Sequence, residues 1–160
     1  MEYGVVLVAL GLLFGGCKTI KDLPKSDFQF FIEQKSNRDD LFWSSTAILP
    51  ISQLNINICS QPILLANDVE SVSIAQSNFG KCLIFQLTQR SAIEFYKLSV
   101  DGLGRKIVFV FNGKALGLSM PICNATLDGT FAIFPETEDL EPLVKDINDT
   151  ILKLKKLKET

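Results

Sequence analysis

The residues that could carry catalysis in this 160-residue chain are few. Histidine is absent, which excludes imidazole-activated nucleophiles, histidine acid–base relays and HExxH zinc sites. What remains for an enzyme is carboxylate, lysine or tyrosine chemistry. Two acids could converge in a cleft around Glu94, Asp101 or Asp128, but their positions match no catalytic motif. We therefore predict a protein that is not an enzyme, with no catalytic residue and no cofactor.

The four cysteines are the other reactive side chains. Their spacing, in a chain without histidine, fits no zinc template, so no metal site is predicted. Cys82 opens an apolar segment and is expected to be buried as a small hydrophobic residue. Cys59 and Cys123 lie near prolines at the ends of predicted strands. In an oxidising compartment these two are the expected disulfide pair.

The fourth cysteine, Cys17, follows an apolar N-terminal run, Gly4–Gly15. The run is too short for a transmembrane helix, which needs about 20 residues, and it has the length of the hydrophobic region of a secretory signal. Residues 13–17, with small residues directly before the cysteine, resemble a bacterial lipobox. That resemblance implies a lipid on Cys17. The alternative is a buried N-terminal strand or helix that contains an unrelated cysteine.

The lipobox resemblance sets the expected organisation of the chain. Residues 1–16 would be a lipoprotein signal peptide, residues 17–27 a polar, proline-containing tether and residues 28–160 a single domain. Lys18 stands where an aspartate would resemble an inner-membrane retention signal. An anchor in the outer membrane, facing the periplasm, is therefore expected. The net charge of −2 argues against a nucleic-acid partner.

The most informative segment of the domain is Lys81–Phe134. It reads as a strand, a helix capped at Thr88, a glycine turn, the apolar strand Ile107–Phe111 and a hairpin at Asn112-Gly113. The order strand–helix–strand predicts a β-α-β unit with parallel strands.

Glycines and apolar spacing indicate how these elements end and pack. Asp101-Gly102 and Gly104 are expected to stop the helix, with a glycine supplying the left-handed C-cap, and Gly117 predicts a bulge or a close backbone approach in the returning strand. A second helix is predicted with Thr137 as its N-cap. Its apolar residues share one face, namely Leu140, Leu143, Val144, Ile147, Ile151, Leu154 and Leu157. The expected fold class is α+β: a two-layer sandwich with a mixed sheet, a β-α-β-β(-β)-α core and a C-terminal amphipathic helix packed on the sheet.

The order of these elements is similar to the first periplasmic domain of SecD, a membrane subunit of the bacterial protein-export machinery. The similarity covers about residues 69–157 and rests on Ala92, Phe95, Gly104, Arg105, Lys106, Asn112, Gly113, Lys114, Ser119 and Pro121. The resemblance implies an α+β domain of a kind that contacts exported polypeptides. No transmembrane helices follow in this sequence, so the proton-coupled work of SecD is not expected.

The expected function is that of a membrane-anchored periplasmic lipoprotein that binds a protein or an extended peptide of unknown identity. The candidate surface is the strand that returns from the hairpin, whose free edge could accept an added strand, together with the tryptophan region Leu41–Ser52. The candidate residues are Lys114, Leu116, Leu118, Met120 and Pro121; ordinary core packing is the alternative for each. Two other functions stay open. One is a passive envelope lipoprotein that uses the helix face Leu143–Leu157 as a partner surface, and the other is a carboxylate-dependent enzyme.

Overall fold

The computed structural model describes residues 24–35, 44–125 and 128–159. The predicted signal peptide, Cys17 and Trp43 lie outside these ranges. The described elements are β1 Phe28–Ile32, β2 Ser44–Ile48, β3 Asn55–Cys59, β4 Leu64–Leu65, β5 Val69–Ser77, β6 Gly80–Leu87, α1 Gln89–Asp101, β7 Ile107–Phe111, β8 Lys114–Leu118, β9 Thr130–Pro135 and α2 Leu140–Glu159. Neither of these two helices is long and apolar enough to cross a membrane.

Seven strands form one curled sheet in the order β4-β1-β7-β8-β9-β6-β5, while β2 and β3 form a separate two-stranded sheet. Both helices contribute to the core on one face of the large sheet, and α2 packs mainly along β5. The predicted α+β class, with a C-terminal helix packed on a sheet, is confirmed.

The predicted parallel β-α-β unit is wrong. The strands β6 and β7, which flank α1, are separated in the sheet by β8 and β9. Instead, β6 pairs with β9, placing Phe85 opposite Phe131, and β7 pairs with β1, placing Phe30 opposite Phe109. All described pairings are antiparallel, so the sheet is not mixed. Each of these two pairings brings two phenylalanines onto the face that the helices cover.

An aromatic cluster forms the centre of the core on the helix-covered face. Phe30 and Phe85 meet edge to face with ring centroids 4.9 Å apart, and Phe109 lies 5.3 Å from both rings. Helix α2 covers this cluster with Leu143, Ile147 and Ile151, all of which are buried. The predicted amphipathic helix is therefore confirmed. Because its apolar face is already covered, that face offers little surface to a separate partner.

Three predictions about local geometry are confirmed. Asn112 and Gly113 have φ values of 48° and 77°, as a type I′ turn requires. The Thr88 hydroxyl accepts a hydrogen bond from the Ser91 N–H at 3.4 Å and caps α1. The β7–β8 register shifts beside Gly117, where a Cβ atom would lie 2.6 Å from the Phe134 carbonyl oxygen. Only glycine allows β8 and β9 to approach this closely.

One predicted helix boundary agrees with the structure and the other does not. Helix α1 ends at Asp101, and Gly102 follows it with a φ of −92°, while the left-handed glycine is Gly104, at 75°. Gly102 is instead required by space, since a Cβ there would lie 2.8 Å from the Leu98 carbonyl oxygen. Helix α2 begins at Leu140, three residues after Thr137, so Thr137 is not its N-cap.

Candidate peptide-binding groove

The two-stranded sheet β2–β3 packs on the face of the large sheet that is opposite the helices. Its inward residues form a second apolar cluster around Val108 of β7, consisting of Ala47, Leu49, Ile56 and Ile58. Successive residues of a strand face opposite sides of the sheet. Ile107 and Phe109, which flank Val108, accordingly belong to the core that contains the aromatic cluster. The large sheet is therefore covered by helices on one face, the helix face, and by the β2–β3 hairpin on the other, the hairpin face.

A groove of about 550 Å³ lies between this hairpin and the large sheet. It is lined by Gln29, Phe31, Thr46, Ala47, Ile48, Pro50, Ile58, Val110, Gly113, Lys114, Ala115 and Leu116. The floor comes from Phe31 and Val110, which also pack against the second cluster. Lys114, beside the β7–β8 turn, is the one charged residue among these lining residues, so the groove is lined mainly by apolar residues.

One wall of the groove is the outer edge of β2. Among the described strands, β2 pairs only with β3, and the Leu49 N–H donates to the Leu54 carbonyl oxygen at 3.1 Å. In an antiparallel pair, backbone groups alternate between the two edges, so those of Thr46 and Ile48 point away from β3. Within the described residues, no strand pairs with this edge. The edge therefore has backbone donors and acceptors available to a ligand.

The opposite wall is the first part of β8. Its pairing with β9 is restricted to Gly117 and Leu118, and one further hydrogen bond runs from the Glu136 N–H to the Leu116 carbonyl oxygen at 2.6 Å. Lys114 and Ala115 have no partner in β9. The groove thus runs between two strand segments with open edges.

Glu136 holds the tip of the hairpin in place. Its Oε2 accepts hydrogen bonds from the Ile51 and Ser52 backbone N–H groups, both at 2.9 Å. Burial opposes ionisation of this carboxyl, but the hydrogen bonds from Ser52 and Ile51 outweigh it and keep the pKa of Glu136 below its ordinary value. An ionised carboxylate therefore fixes the distance between the β2 wall and the large sheet.

The rim of the groove continues into exposed apolar side chains at the hairpin tip. Ile48 is 55% exposed and Ile51 is 67% exposed. Leu54 lies on the same hairpin and is also exposed, as is Pro50. A group of exposed apolar residues next to an apolar groove is typical of an interaction site.

The structure brings together part of the predicted surface. Lys114 and Leu116 line the groove together with residues of the described part of the tryptophan region, Ser44–Ser52, although Leu116 also packs against the core on the helix-covered face. Leu118 instead packs beneath the hairpin against the second cluster, while Met120 and Pro121 follow the end of β8. Because β8 lies between β7 and β9, the expectation that its edge is free is wrong at Gly117 and Leu118.

The acids considered for catalysis fall into two separate clefts. Glu94 and Asp101 line a cleft beside α1, where Glu94 forms an ion pair of 3.2 Å with Lys97. Asp128 lines a different cleft, and hydrogen bonds from Thr130 keep its pKa below the ordinary value. Within residues 24–35, 44–125 and 128–159, no three potential ligands come close enough to hold a metal ion.

The predicted disulfide is not formed, because Cys59, Cys82 and Cys123 are free thiols in the structure. Cys59 ends β3 on the hairpin face, whereas Cys123 follows Ile122, which packs against the core on the helix face. The Cys123 thiol is exposed and donates to the Pro121 carbonyl oxygen at 3.2 Å. Cys82 is buried as predicted, and this burial raises the pKa of its thiol.

Several groove residues carry no signal in the sequence. Thr46 and Ile48 become important only because β2 lies over the large sheet with its outer edge open. Glu136 belongs to the acidic run Glu136–Asp139, which indicates the start of a helix. Nothing in that run indicates the contact of Glu136 with Ser52. The weak signal is Pro50, which marks the hairpin loop but not the surface on which the hairpin packs.

No family model and no curated protein matches the chain. A crystal structure of SecDF in a super-membrane-facing form matches with a TM-score of 0.55 and 15% identity, over 80% of this chain and 19% of that chain. The fold is similar to part of SecDF. A second structure, of SecDF as a membrane component that enhances protein export, gives the same TM-score of 0.55 and 15% identity, over 80% of this chain and 62% of that one.

This chain therefore spans less than two thirds of either SecDF chain. The predicted resemblance to SecD is confirmed as a likeness of fold, since identity at this level carries no residue roles. The lipid on Cys17 remains a prediction.

Proposed function

We propose that this chain is a binding module of the bacterial cell envelope that holds an extended polypeptide segment in the groove, and that it is not an enzyme. The observation that carries the proposal is the open edge of β2, with outward backbone groups at Thr46 and Ile48, beside an apolar floor. An extended segment could pair with this edge as an added strand, and its alternate side chains would reach Phe31 and Val110.

The groove also defines the chemistry of the segment that fits it. Alternate apolar side chains match the floor, and the Lys114 ammonium favours an acidic residue at that end of the segment. Such segments are available in polypeptides that have not yet folded. The fold likeness to SecDF, which is described as enhancing protein export, supports an exported polypeptide as the ligand class.

The proposed location is the periplasmic side of the envelope, with the outer membrane as the site of a lipid anchor on Cys17. The lipobox-like residues 13–17 support this assignment. Metabolic labelling with palmitate should mark the wild-type chain and should fail in Cys17→Ser. Labelling that persists in Cys17→Ser would contradict the anchor without affecting the groove.

Strand addition is tested with a proline scan of the β2 edge. The ligand is a short fluorescein-labelled peptide of alternating valine and serine with one glutamate, and binding is followed by fluorescence anisotropy. Thr46→Pro removes the outward N–H, a change that edge strands tolerate, whereas Thr46→Val keeps it. We expect Thr46→Pro to weaken binding at least about tenfold, as the loss of one or two hydrogen bonds predicts, and Thr46→Val to bind like the wild type.

A second pair of variants separates the groove from nonspecific apolar binding. Lys114→Glu should weaken binding of the glutamate peptide. Binding of a control peptide in which glutamine replaces that glutamate should be less affected. Equal binding by wild type and Thr46→Pro, with both proteins folded by circular dichroism, would refute strand addition to β2.

A further inference from the structure

The outer strand β5 has an edge that is covered over only half of its length. Among the strands that the structure describes, it pairs with β6 alone and ends the large sheet. The Val72 N–H donates to Asn148 Oδ1 at 3.3 Å, and Asn148 Nδ2 donates to the Val72 carbonyl oxygen at 3.2 Å. The carboxamide of Asn148 thus replaces a neighbouring strand at this residue. Lys155 Nζ adds a hydrogen bond to the Glu70 carbonyl oxygen at 3.3 Å, so α2 covers the first half of the edge.

The second half of the same edge is open. Because the backbone groups of Val72 point outward, alternation places those of Ile74 and Gln76 outward as well. The described residues put no strand or side chain of α2 against them. The segment Ser73–Ser77 contains no lysine, proline or bulge, which are the features that usually protect a sheet edge. Ile74 is 38% exposed beside it.

We propose that this open segment pairs with the same segment of a second copy of the chain, antiparallel and centred on Ala75. In that arrangement Ile74 of each copy exchanges two backbone hydrogen bonds with Gln76 of the other. The two-fold axis passes between the two Ala75 residues, which form a pair without hydrogen bonds and with their side chains close together. The two large sheets then join into one continuous sheet across the dimer.

The geometry at the two ends of the segment favours a second copy over a longer peptide. With Ala75 at the centre, Val72 of one copy lies opposite Asn78 of the other. Asn78 belongs to the turn that leads into β6. The second copy therefore turns away from the edge at Val72, the residue that the Asn148 carboxamide covers. A peptide that continued straight would run into α2. The segment Ser73–Asn78 also carries no charge, so two copies bring no like charges together.

The test uses opposite charges at the two-fold axis. Ala75→Lys and Ala75→Glu each place two like charges directly opposite each other in a homodimer, which destabilises cross-strand pairing. Sedimentation equilibrium of the full chain in a mild detergent should show a concentration-dependent dimer for the wild type. For each variant we expect the dissociation constant to rise at least about tenfold, the effect of 1.4 kcal/mol.

The decisive sample is an equimolar mixture of Ala75→Lys and Ala75→Glu, which should dimerise again because the opposite charges now pair. Ala75→Ser is the uncharged control and should behave like the wild type. A monomeric wild type, or a mixture that stays monomeric while both variants keep the wild-type circular dichroism spectrum, would overturn the inference. These results do not depend on peptide binding to β2, which lies on a different sheet.

Discussion

The two faces of the large sheet are covered in different ways. On one face, α1 and α2 cover an aromatic cluster whose central rings are completely buried. On the other face, a hairpin of two short strands covers a smaller cluster around Val108 and leaves a groove beside it. The helix face therefore provides most of the apolar burial that stabilises the fold. The hairpin face provides a site whose walls are open strand edges.

This difference assigns stability and binding to separate parts of one sheet. A groove with unpaired backbone groups costs stability, because those groups could have formed strand pairs. The aromatic cluster on the opposite face offsets that cost without contacting a ligand. Strands β1 and β7 belong to both faces, since alternate residues such as Phe30 and Phe31 point to opposite sides.

The largest expected effect comes from a matched pair of leucine truncations. Leu83 is 0% exposed on the helix face and Leu49 is 2% exposed on the hairpin face, so the two differ in location and not in burial. Truncation of a buried leucine to alanine lowers the free energy of unfolding by about 2–5 kcal/mol. We expect Leu83→Ala to fall in the upper part of this range and Leu49→Ala in the lower part. The smaller loss follows because a two-stranded hairpin can shift to fill the cavity. Urea denaturation measures both values.

Equal losses for the two leucines would contradict the comparison, because they would show that both faces are equally rigid. Hydrogen exchange provides the control. In Leu49→Ala the amides of β2 and β3 should exchange faster while those of β6 stay protected. If β6 also loses protection, the hairpin does not open separately from the rest of the domain.

A smaller effect is expected from the carboxylate that fixes the hairpin. Glu136→Gln weakens the hydrogen bonds from the Ile51 and Ser52 N–H groups, which should cost about 1–2 kcal/mol. Hydrogen exchange of those two amides should rise in Glu136→Gln and should stay unchanged in Glu138→Gln, a nearby exposed acid. Unchanged exchange in Glu136→Gln would show that the carboxylate does not hold the hairpin.

The same contact makes the hairpin sensitive to acid. The pKa of Glu136 is lower in the folded chain than its ordinary value. Its contribution is therefore complete above the unfolded pKa of about 4.3 and is lost as the pH falls through the folded pKa. Protection of the Ile51 amide should fall over this acidic window in the wild type. It should not show that fall in Glu136→Gln.

Much of the helix face could be predicted from the sequence, because its signals are local. The period of α2 from Leu140 onward, the cap at Thr88 and the turn at Asn112-Gly113 each depend on residues a few positions apart. The strand partners could not be predicted in this way. β6 pairs with β9 rather than with β7, placing Phe85 opposite Phe131, and no pattern within either strand indicates that partner.

The groove was less predictable than the fold for the same reason. Lys114 and Leu116 were identified because they belong to the β7–β8 hairpin, which the Asn112-Gly113 turn indicates locally. Thr46 and Ile48 fall inside the predicted range 41–52, but no local pattern indicated these two residues, since their role arises from a β2–β3 hairpin packed on strands that are distant in sequence. Glu136 is a further case, because its contact with Ser52 joins residues 84 positions apart.

The smallest effect is expected at the turn where the two faces meet. Gly113 has a φ of 77° and lines the end of the groove, with open space around the position of a Cβ atom. Gly113→Ala therefore meets no steric contact and costs only the left-handed conformation, about 1 kcal/mol. Thermal denaturation should show this loss, and peptide affinity should stay within about twofold because the walls of the groove are unchanged. A larger loss of affinity would mean that the turn itself contacts the ligand.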